Sequence, residues 1–145
     1  MDVSELKATN REVSELSRME SQRTIAVVGA SADRTKFGNK CVRAYSQVGW
    51  DVYPINPSVS TIEGLTAYPT LRDIPPVHLD RVSVYLPANV LMNVLDSLAS
   101  RPIGELWLNP GADSPQVVAK ARQLGFNVIC ACSIVDVGVS PHTLD

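Results

Sequence analysis

Hydrophobic and polar residues alternate along the chain in two different rhythms. Short β-branched runs that end in glycine, asparagine or proline are typical of strands buried on both faces. Between these runs, apolar residues spaced three or four apart are typical of amphipathic helices. The pattern predicts five strands, at 24–29, 51–55, 81–86, 105–108 and 126–131, with helices at 38–49, 88–100 and 113–125.

Strands that alternate with helices over short connections indicate βαβ units. Because such crossovers are right-handed, helices cover both faces of the sheet. The predicted fold class is therefore α/β: a doubly wound, mostly parallel, five-stranded sheet. Sheets of this kind bind ligands at the carboxyl ends of their strands. The polar, glycine- and proline-bearing segments that meet at that edge are 29–39, 56–60, 87–89 and 109–114.

The first residues differ from the rest of the chain. Apolar Val13, Leu16 and Met19 recur at helical spacing among many charges, which predicts an N-terminal extension at 1–23 with a short helix. Residues 24–145 form the predicted single domain, since 145 residues are close to the commonest domain size. The start of the chain has no apolar signal segment and is rich in acids, so we expect a cytoplasmic protein.

Composition excludes several partners. With 45% hydrophobic and 19% charged residues, the chain resembles an ordinary globular domain. Its formal net charge of −2 lacks the basic excess of nucleic-acid-binding proteins, and no apolar run approaches a membrane span. Cys130 and Cys132 lie in an apolar run without further ligands nearby, so they are expected to be buried thiols and no metal site is predicted.

The loop after the first strand has the features of a phosphate-binding turn. Gly29 lets an anion approach the backbone, Ser31 adds a hydroxyl, and a helix start follows. The dinucleotide pattern would place two further glycines two and five positions after Gly29, but here the next glycine is Gly38. The loop between them is wider and carries Arg34 and Lys36.

The end of the second strand narrows the choice of nucleotide. NAD sites place an acid there for the ribose hydroxyls, whereas this chain has Asn56 and Pro57, and Glu63 lies too far along. The basic first loop suits a phosphorylated ribose instead. Both NADP and coenzyme A carry such a phosphate, so the residues alone leave two ligands. A domain that has lost its ligand remains a third interpretation.

The sequence resembles the CoA-binding domain family, small single-domain Rossmann-like proteins related to the nucleotide-binding domain of the succinyl-CoA synthetase α subunit. The resemblance is carried, in order, by VVGAS at 27–31, KFGNK at 36–40, VYPINP at 52–57, YPTLRDIP at 68–75, LPAN at 86–89 and LWLNPGADS at 106–114. These motifs extend through nearly the whole chain after the N-terminal extension.

The resemblance implies that coenzyme A or an acyl-CoA lies across the carboxyl edge of a Rossmann-like sheet, and it suggests a homodimer. The first loop would hold the diphosphate, the ends of the second and third strands would flank the adenosine, and the segment at 109–114 would border the pantetheine. The predicted cofactor-binding residues are Gly29, Ala30, Ser31, Arg34, Lys36, Phe37, Gly38, Asn39, Asn56, Pro57, Leu86, Pro87, Asn109 and Gly111.

Three departures from the family pattern keep the lost-site interpretation open. Family members often have glutamine at the position of Asn109, and a basic residue often follows the Asn-Pro pair where Ser58 stands here. One cysteine is usual near the C-terminus, whereas this chain has Cys130 and Cys132; the second is the closer counterpart.

No catalytic constellation is visible. His78 and His142, the only histidines, lack a nucleophile or carboxylate in a recognised pairing, and Ser31 has no general base nearby in sequence. The sequence therefore predicts a non-catalytic binding protein. An NADP-dependent oxidoreductase and a scaffold with a decayed nucleotide site are the alternatives.

Overall fold

The computed structural model describes residues 22–145. The helix predicted near the N-terminus lies outside these residues. Five strands form one parallel sheet, in the order β2-β1-β5-β6-β7. They are β1 (Thr24–Val28), β2 (Asp51–Ile55), β5 (Leu79–Val84), β6 (Ile103–Leu108) and β7 (Val128–Cys130). The predicted α/β doubly wound fold is confirmed, although the third predicted strand begins and ends two residues earlier than expected.

Helices cover both faces of this sheet. They are α1 (Phe37–Gln47), α2 (Ala88–Leu98), α3 (Pro115–Gln123) and the short α4 (Ser133–Asp136), with 3₁₀ turns at Leu71–Asp73 and Pro141–Leu144. Ser114 caps α3, because its hydroxyl accepts a hydrogen bond from the Val117 amide at 3.3 Å. Within the described residues, no helix combines the length and apolar character needed to cross a bilayer.

A small hairpin was missed by the sequence pattern. It consists of β3 (Thr61–Ile62) and β4 (Leu65–Thr66), which pair antiparallel. Its two-residue turn holds Glu63 at φ 49° and Gly64 at φ 76°, the left-handed conformation that a tight hairpin requires. Strands of two residues are too short to show an alternation of hydrophobic and polar residues. The Glu63-Gly64 pair was therefore the only sequence signal of this hairpin.

The two faces of the sheet enclose different cores. Residues Val82, Val84, Leu106 and Leu108 pack against α2 and α3 in a purely hydrophobic cluster. The opposite face packs against α1 and α4, and buries several polar side chains. Both cores extend along the strands up to the carboxyl edge of the sheet, where Val84 and Leu108 end β5 and β6.

Candidate functional site

The order in which strands are added to the sheet changes sides between the parallel neighbours β1 and β5. β2 lies on one side of β1 and β5 on the other, so the loops that leave β1 and β5 diverge and open a crevice at the carboxyl edge. Gly29 follows β1, and Tyr85 and Leu86 follow β5. Two adjacent cavities meet at this crevice, and both are lined by Gly29, Lys36, Tyr85 and Leu86.

One cavity, the β2-side cavity, extends from the crevice toward the end of β2 and has a volume of about 510 Å³. Its walls combine the first loop, the end of β2 and one side of α2. Besides the four shared residues it is lined by Val28, Ala30, Ser31, Ile55, Asn56, Pro57, Pro69, Thr70, Val90, Val94, Ser97 and Leu98. A mostly apolar slot with a few polar groups at its rim suits a planar base and its sugar.

The other cavity, the β6-side cavity, extends from the same crevice toward the end of β6 and has a volume of about 610 Å³. Besides the shared residues it is lined by Phe37, Gly38, Pro87, Asn109, Pro110, Gly111, Ala112 and Cys132. Among the described residues that line this cavity, Lys36 is the only one with a positively charged side chain. Together the two cavities form a continuous groove across the carboxyl edge of the sheet.

The two glycines of the first loop are required by the backbone itself. Gly29 has φ 87°, and a Cβ there would lie 2.7 Å from the Tyr85 carbonyl oxygen. A Cβ on Gly38 would lie 2.2 Å from the Gly29 carbonyl oxygen. The loop therefore closes tightly on the start of α1, and any side chain at either position would push the loop, the helix or β5 apart.

Local hydrogen bonds shape the rest of this loop. The Ser31 hydroxyl accepts from the Asp33 amide at 3.0 Å, so its own hydrogen is left to donate into the cavity. Asp33 in turn accepts from the amide and hydroxyl of Thr35, at 3.0 and 2.7 Å, and these bonds lower the pKa of the Asp33 carboxyl. The turn is thus organised before any ligand arrives.

The start of α1 faces the groove without a side-chain cap. Lys36 occupies the N-cap position, and its side chain makes no capping hydrogen bond. The first turn contains no acid, and the amides of Phe37 and Gly38 have no partner within the helix, because no carbonyl of the helix lies four residues before them. An uncapped helix start beside an exposed lysine is a favourable place for an anionic oxygen.

Two asparagines hold the edge together. Asn56 donates to the Ala30 carbonyl at 2.9 Å, which ties the end of β2 to the first loop. Asn109, buried at the end of β6, donates to the Ser83 hydroxyl at 2.8 Å and the Val84 carbonyl at 2.9 Å. These amides line the cavities while their polar atoms are already engaged, so their first role is to fix the shape of the walls.

Asn39 and Arg34 differ from the other predicted site residues, because neither lines a cavity. Asn39 is fully buried and donates to the Ser31 carbonyl at 2.9 Å. Arg34 lies on the outer side of the loop, with its Nε 3.4 Å from a carboxylate oxygen of Glu63. The β3–β4 hairpin brings Glu63 back to the first loop, although in sequence it seemed too distant from β2 to matter.

A buried polar cluster lies below the β6-side cavity, which we call the Ser133 cluster: Ser83, Ser133, Tyr85, Asn109 and Cys41. The Ser133 hydroxyl lies 2.7 Å from that of Ser83 and 3.2 Å from that of Tyr85, and its amide donates to Asn109 at 3.0 Å. Burial raises the pKa of the Cys41 thiol to about 11 and also raises that of the Tyr85 hydroxyl. Both groups therefore stay protonated and act as structural hydrogen-bonding partners.

Twelve of the fourteen predicted site residues line the groove. Sequence reasoning missed Tyr85, which lines both cavities. The helical spacing of apolar residues at 88–100 also predicts Val90 and Val94 on the buried face of α2. Val90 is instead 41% exposed and Val94 half-buried, because both flank the buried stripe and face the β2-side cavity. The sequence signal that could have revealed these two lining residues is that they are apolar and lie beside the row of buried leucines on α2.

The cysteine prediction was wrong. Cys130 is exposed and Cys132 is half-buried, since β7 is a short edge strand and the chain then turns over the rim. Cys41 is the buried thiol. Both histidines are exposed, with side-chain exposures of 71% for His78 and 92% for His142. Across residues 22–145, no group of three or more His, Cys, Asp or Glu side chains could hold a metal ion.

Comparison with known proteins identifies related domains. A family model described as "CoA binding domain" matches residues 23–137. An ADP-forming acetate–CoA ligase II from Archaeoglobus fulgidus is 30% identical over 103 residues, which are 70% of this chain but 15% of the ligase. The chain therefore spans a small part of the curated ligase that it matches.

Two solved structures are similar over most of the chain. A conserved hypothetical protein from Pyrococcus furiosus has 30% sequence identity and a TM-score of 0.71, covering 79% of this chain and 98% of that protein. The dinucleotide-forming acetyl-coenzyme A synthetase 1 of Ca. Korarchaeum cryptofilum, in complex with phosphate and ADP, has 28% identity and a TM-score of 0.66, covering 80% of this chain and 27% of the synthetase.

Proposed function

Because the chain belongs to the CoA-binding domain family, we propose that it binds coenzyme A or an acyl-CoA in the groove at the carboxyl edge of its sheet. The single observation that carries this proposal is the continuity of the two cavities through Gly29, Lys36, Tyr85 and Leu86. A groove with apolar ends and a basic middle matches a ligand with a base at one end, a thiol arm at the other and a diphosphate between them. The related acetate–CoA ligase and acetyl-coenzyme A synthetase act on compounds that contain coenzyme A, which supports the same ligand class.

The diphosphate is proposed to lie at the middle of the groove. There the Phe37 and Gly38 amides, the Ser31 hydroxyl and the Lys36 ammonium could all donate to phosphate oxygens. Ser31 lines the β2-side cavity, Phe37 and Gly38 line the β6-side cavity, and Lys36 lines both.

The adenosine is proposed to occupy the β2-side cavity and the pantetheine the β6-side cavity. The side chains of Val90 and Val94 remain partly exposed at the wall of the β2-side cavity, where a purine ring would bury them. Phe37, 53% exposed at the mouth of the β6-side cavity, would flank the pantetheine arm. In this orientation the acyl group of an acyl-CoA would lie near Cys132 and Gly111.

We propose that binding, without chemistry, is the role of this domain. Among the described residues that line the groove there is no histidine and no carboxylate. The Tyr85 hydroxyl, whose pKa is raised by burial, is bonded to Ser133 rather than directed at the groove. General acid–base catalysis needs a group that titrates near neutral pH within reach of the substrate.

Isothermal titration calorimetry with coenzyme A tests the proposal. Saturable binding with a stoichiometry of one per chain is expected, and acetyl-CoA should bind as well because the thiol end remains open. Incubation with acetyl-CoA should release no free thiol above the buffer rate. A lack of heat and of thermal shift at millimolar coenzyme A would exclude the proposed function, and enzyme-dependent thiol release would exclude its non-catalytic part.

NADPH is the competing ligand, since it too carries a phosphorylated ribose next to a diphosphate. The Arg34 and Lys36 side chains in the first loop are what favour it. Tighter binding of NADPH than of coenzyme A in the same calorimetric experiment would promote an NADP-dependent oxidoreductase. Binding of neither ligand would favour a scaffold whose nucleotide site has decayed.

A further inference from the structure

The ion pair between Arg34 and Glu63 lies beside the groove but contributes nothing to its walls. Arg34 belongs to the first loop, three residues after Ser31, which lines the β2-side cavity. Its Nε lies 3.4 Å from one carboxylate oxygen of Glu63. The predicted phosphate-binding arginine is thus occupied by an acid that a separate hairpin supplies.

Glu63 is the fixed member of this pair. Its backbone is held at φ 49° in the two-residue turn between β3 and β4, and its side chain is only 26% exposed. Its second carboxylate oxygen accepts from the Asn39 amide at 3.3 Å. The same amide nitrogen donates to the Ser31 carbonyl at 2.9 Å, so the carboxylate is one hydrogen-bonded link from the wall of the cavity.

Arg34 is the movable member. Its side chain is 65% exposed, whereas its backbone is anchored because the Arg43 guanidinium donates to the Arg34 carbonyl at 2.8 Å. Arg43 itself is engaged, since its Nε donates to Asn39 at 2.8 Å. An exposed ion pair of this kind contributes at most about 1 kcal/mol, so a ligand anion could compete for the guanidinium.

We propose that Glu63 sets how much the ribose phosphate contributes to binding: it holds Arg34 away from the groove until a ligand with a phosphate monoester on its ribose draws Arg34 across. This inference rests on the proposed coenzyme A function. Glu63 then competes with the ligand phosphate for Arg34, and so lowers the affinity that the phosphate adds.

A pair of ligands isolates this contact. Coenzyme A and 3′-dephospho-coenzyme A differ only by the ribose phosphate. The dissociation constant of dephospho-coenzyme A divided by that of coenzyme A therefore reports what that phosphate contributes. Calorimetry would give this ratio for the wild-type chain, Glu63→Gln, Arg34→Gln and the double variant. Asp96→Asn changes the net charge equally on α2, where Asp96 pairs with Lys120, and serves as the control.

Glu63→Gln should raise the ratio about three- to fivefold through tighter coenzyme A binding, the size expected for one exposed charge. Arg34→Gln should lower it below the wild-type value, and the double variant should match Arg34→Gln. Asp96→Asn should leave it unchanged. Should Glu63→Gln not fold, the Arg34→Gln arm alone decides: a ratio equal to or above that of the wild type overturns the inference.

Other outcomes contradict the inference as well. Equal gains for both ligands in Glu63→Gln would show plain charge repulsion, and a gain that persists in the double variant would show that Arg34 is not involved. An unchanged ratio in Glu63→Gln, with coenzyme A still bound, overturns the role of Glu63 and leaves the proposed function intact. Failure of the wild-type chain to bind either ligand overturns both.

Discussion

The two faces of the central sheet are made by alternate residues of the same strands, yet they have different chemistry. On β5, Val82 and Val84 enter the hydrophobic cluster under α2 and α3. Their neighbours Arg81, Ser83 and Tyr85 enter a polar core under α1 and α4, where every buried side-chain nitrogen and oxygen of the described residues has a hydrogen-bond partner. Both faces bury hydrophobic side chains that stabilise the fold, and the polar face in addition fixes side chains that reach the groove.

Ion pairs and stacking complete the polar face at its lower end. Arg81 lies 2.9 Å from Glu105 and 2.7 Å from Asp136, and its guanidinium stacks between the rings of Trp50 and Trp107, 5.0 and 4.5 Å from their centroids. A buried arginine needs such a complete set of partners, because an unpaired buried charge is costly. This arrangement orients β5 and α4, from which Tyr85 and Ser133 extend the network up to the rim.

The largest effect should come from the apolar face. Leu79 is fully buried at the start of β5, at the end of the strand away from the groove. Leu79→Ala should lower the free energy of unfolding by about 2–5 kcal/mol, measured by urea denaturation. Coenzyme A affinity of the folded variant should stay within twofold of the wild type, and a larger loss would contradict the separation of the two faces.

A smaller loss of stability, accompanied by a loss of binding, is expected from the polar face. Ser133→Ala leaves the Tyr85 hydroxyl without its partner, which should cost about 1–3 kcal/mol of unfolding free energy. Because Tyr85 lines both cavities, coenzyme A affinity should also fall, by about threefold, or ~0.7 kcal/mol. Ser46→Ala, at an exposed position of α1, is the matched control and should change neither quantity. Unchanged affinity in a destabilised Ser133→Ala would show that the network supports only the fold.

Charge at the groove should affect binding alone. Lys36→Ala should weaken coenzyme A binding about tenfold, or ~1.4 kcal/mol, because a charge-assisted contact to phosphate is lost. The exposed Lys36 side chain has no packing role, so the urea midpoint should not move. Lys36→Arg keeps the charge and should retain most of the affinity. Equal losses in both variants would argue for a geometric rather than an electrostatic role.

The smallest effect concerns the pH dependence of the polar face. Burial raises the pKa of Cys41 from its ordinary value of 9.0 to about 11, so only the unfolded chain loses this proton between pH 9 and pH 11. Stability should therefore fall as the pH rises, by about 1 kcal/mol between pH 8 and pH 10. Cys41→Ala should remove most of that slope in urea denaturation series. A slope that persists in the variant would assign it to other groups.

Most of the strands and helices could be predicted from the sequence, because each depends on the spacing of hydrophobic residues within one local segment. The strand ending at Val28, the helix at 37–47 and the capped start of α3 each follow from spacing within one segment. Gly29 and Gly38 were recognised as a loop that an anion could approach. The second constraint on Gly29, its close approach to the Tyr85 carbonyl oxygen after β5, depends on an atom 56 residues away and cannot be read locally.

The parts that could not be predicted depend on long-range contacts. Ser133 meets Ser83 across 50 residues and Asn109 across 24, so nothing in the local sequence joins them. Arg81 and Ser83, at alternate positions of β5, were the available signal of a polar face, but they do not reveal its partners. Glu63 was set aside by its distance from β2 in sequence, and only the fold of the hairpin returns it to the first loop.

The most direct test of the proposed site is an amide-resolved NMR titration of the wild-type chain with coenzyme A. Saturable shifts are predicted for the amides that the diphosphate would contact, Phe37 and Gly38, and for Gly29 at the crevice and Val90 beside the adenosine. Residues at the opposite edge of the sheet, such as Arg101, should not shift. No perturbation at millimolar coenzyme A, or shifts confined to that opposite edge, would contradict the assignment of this groove as the coenzyme A site.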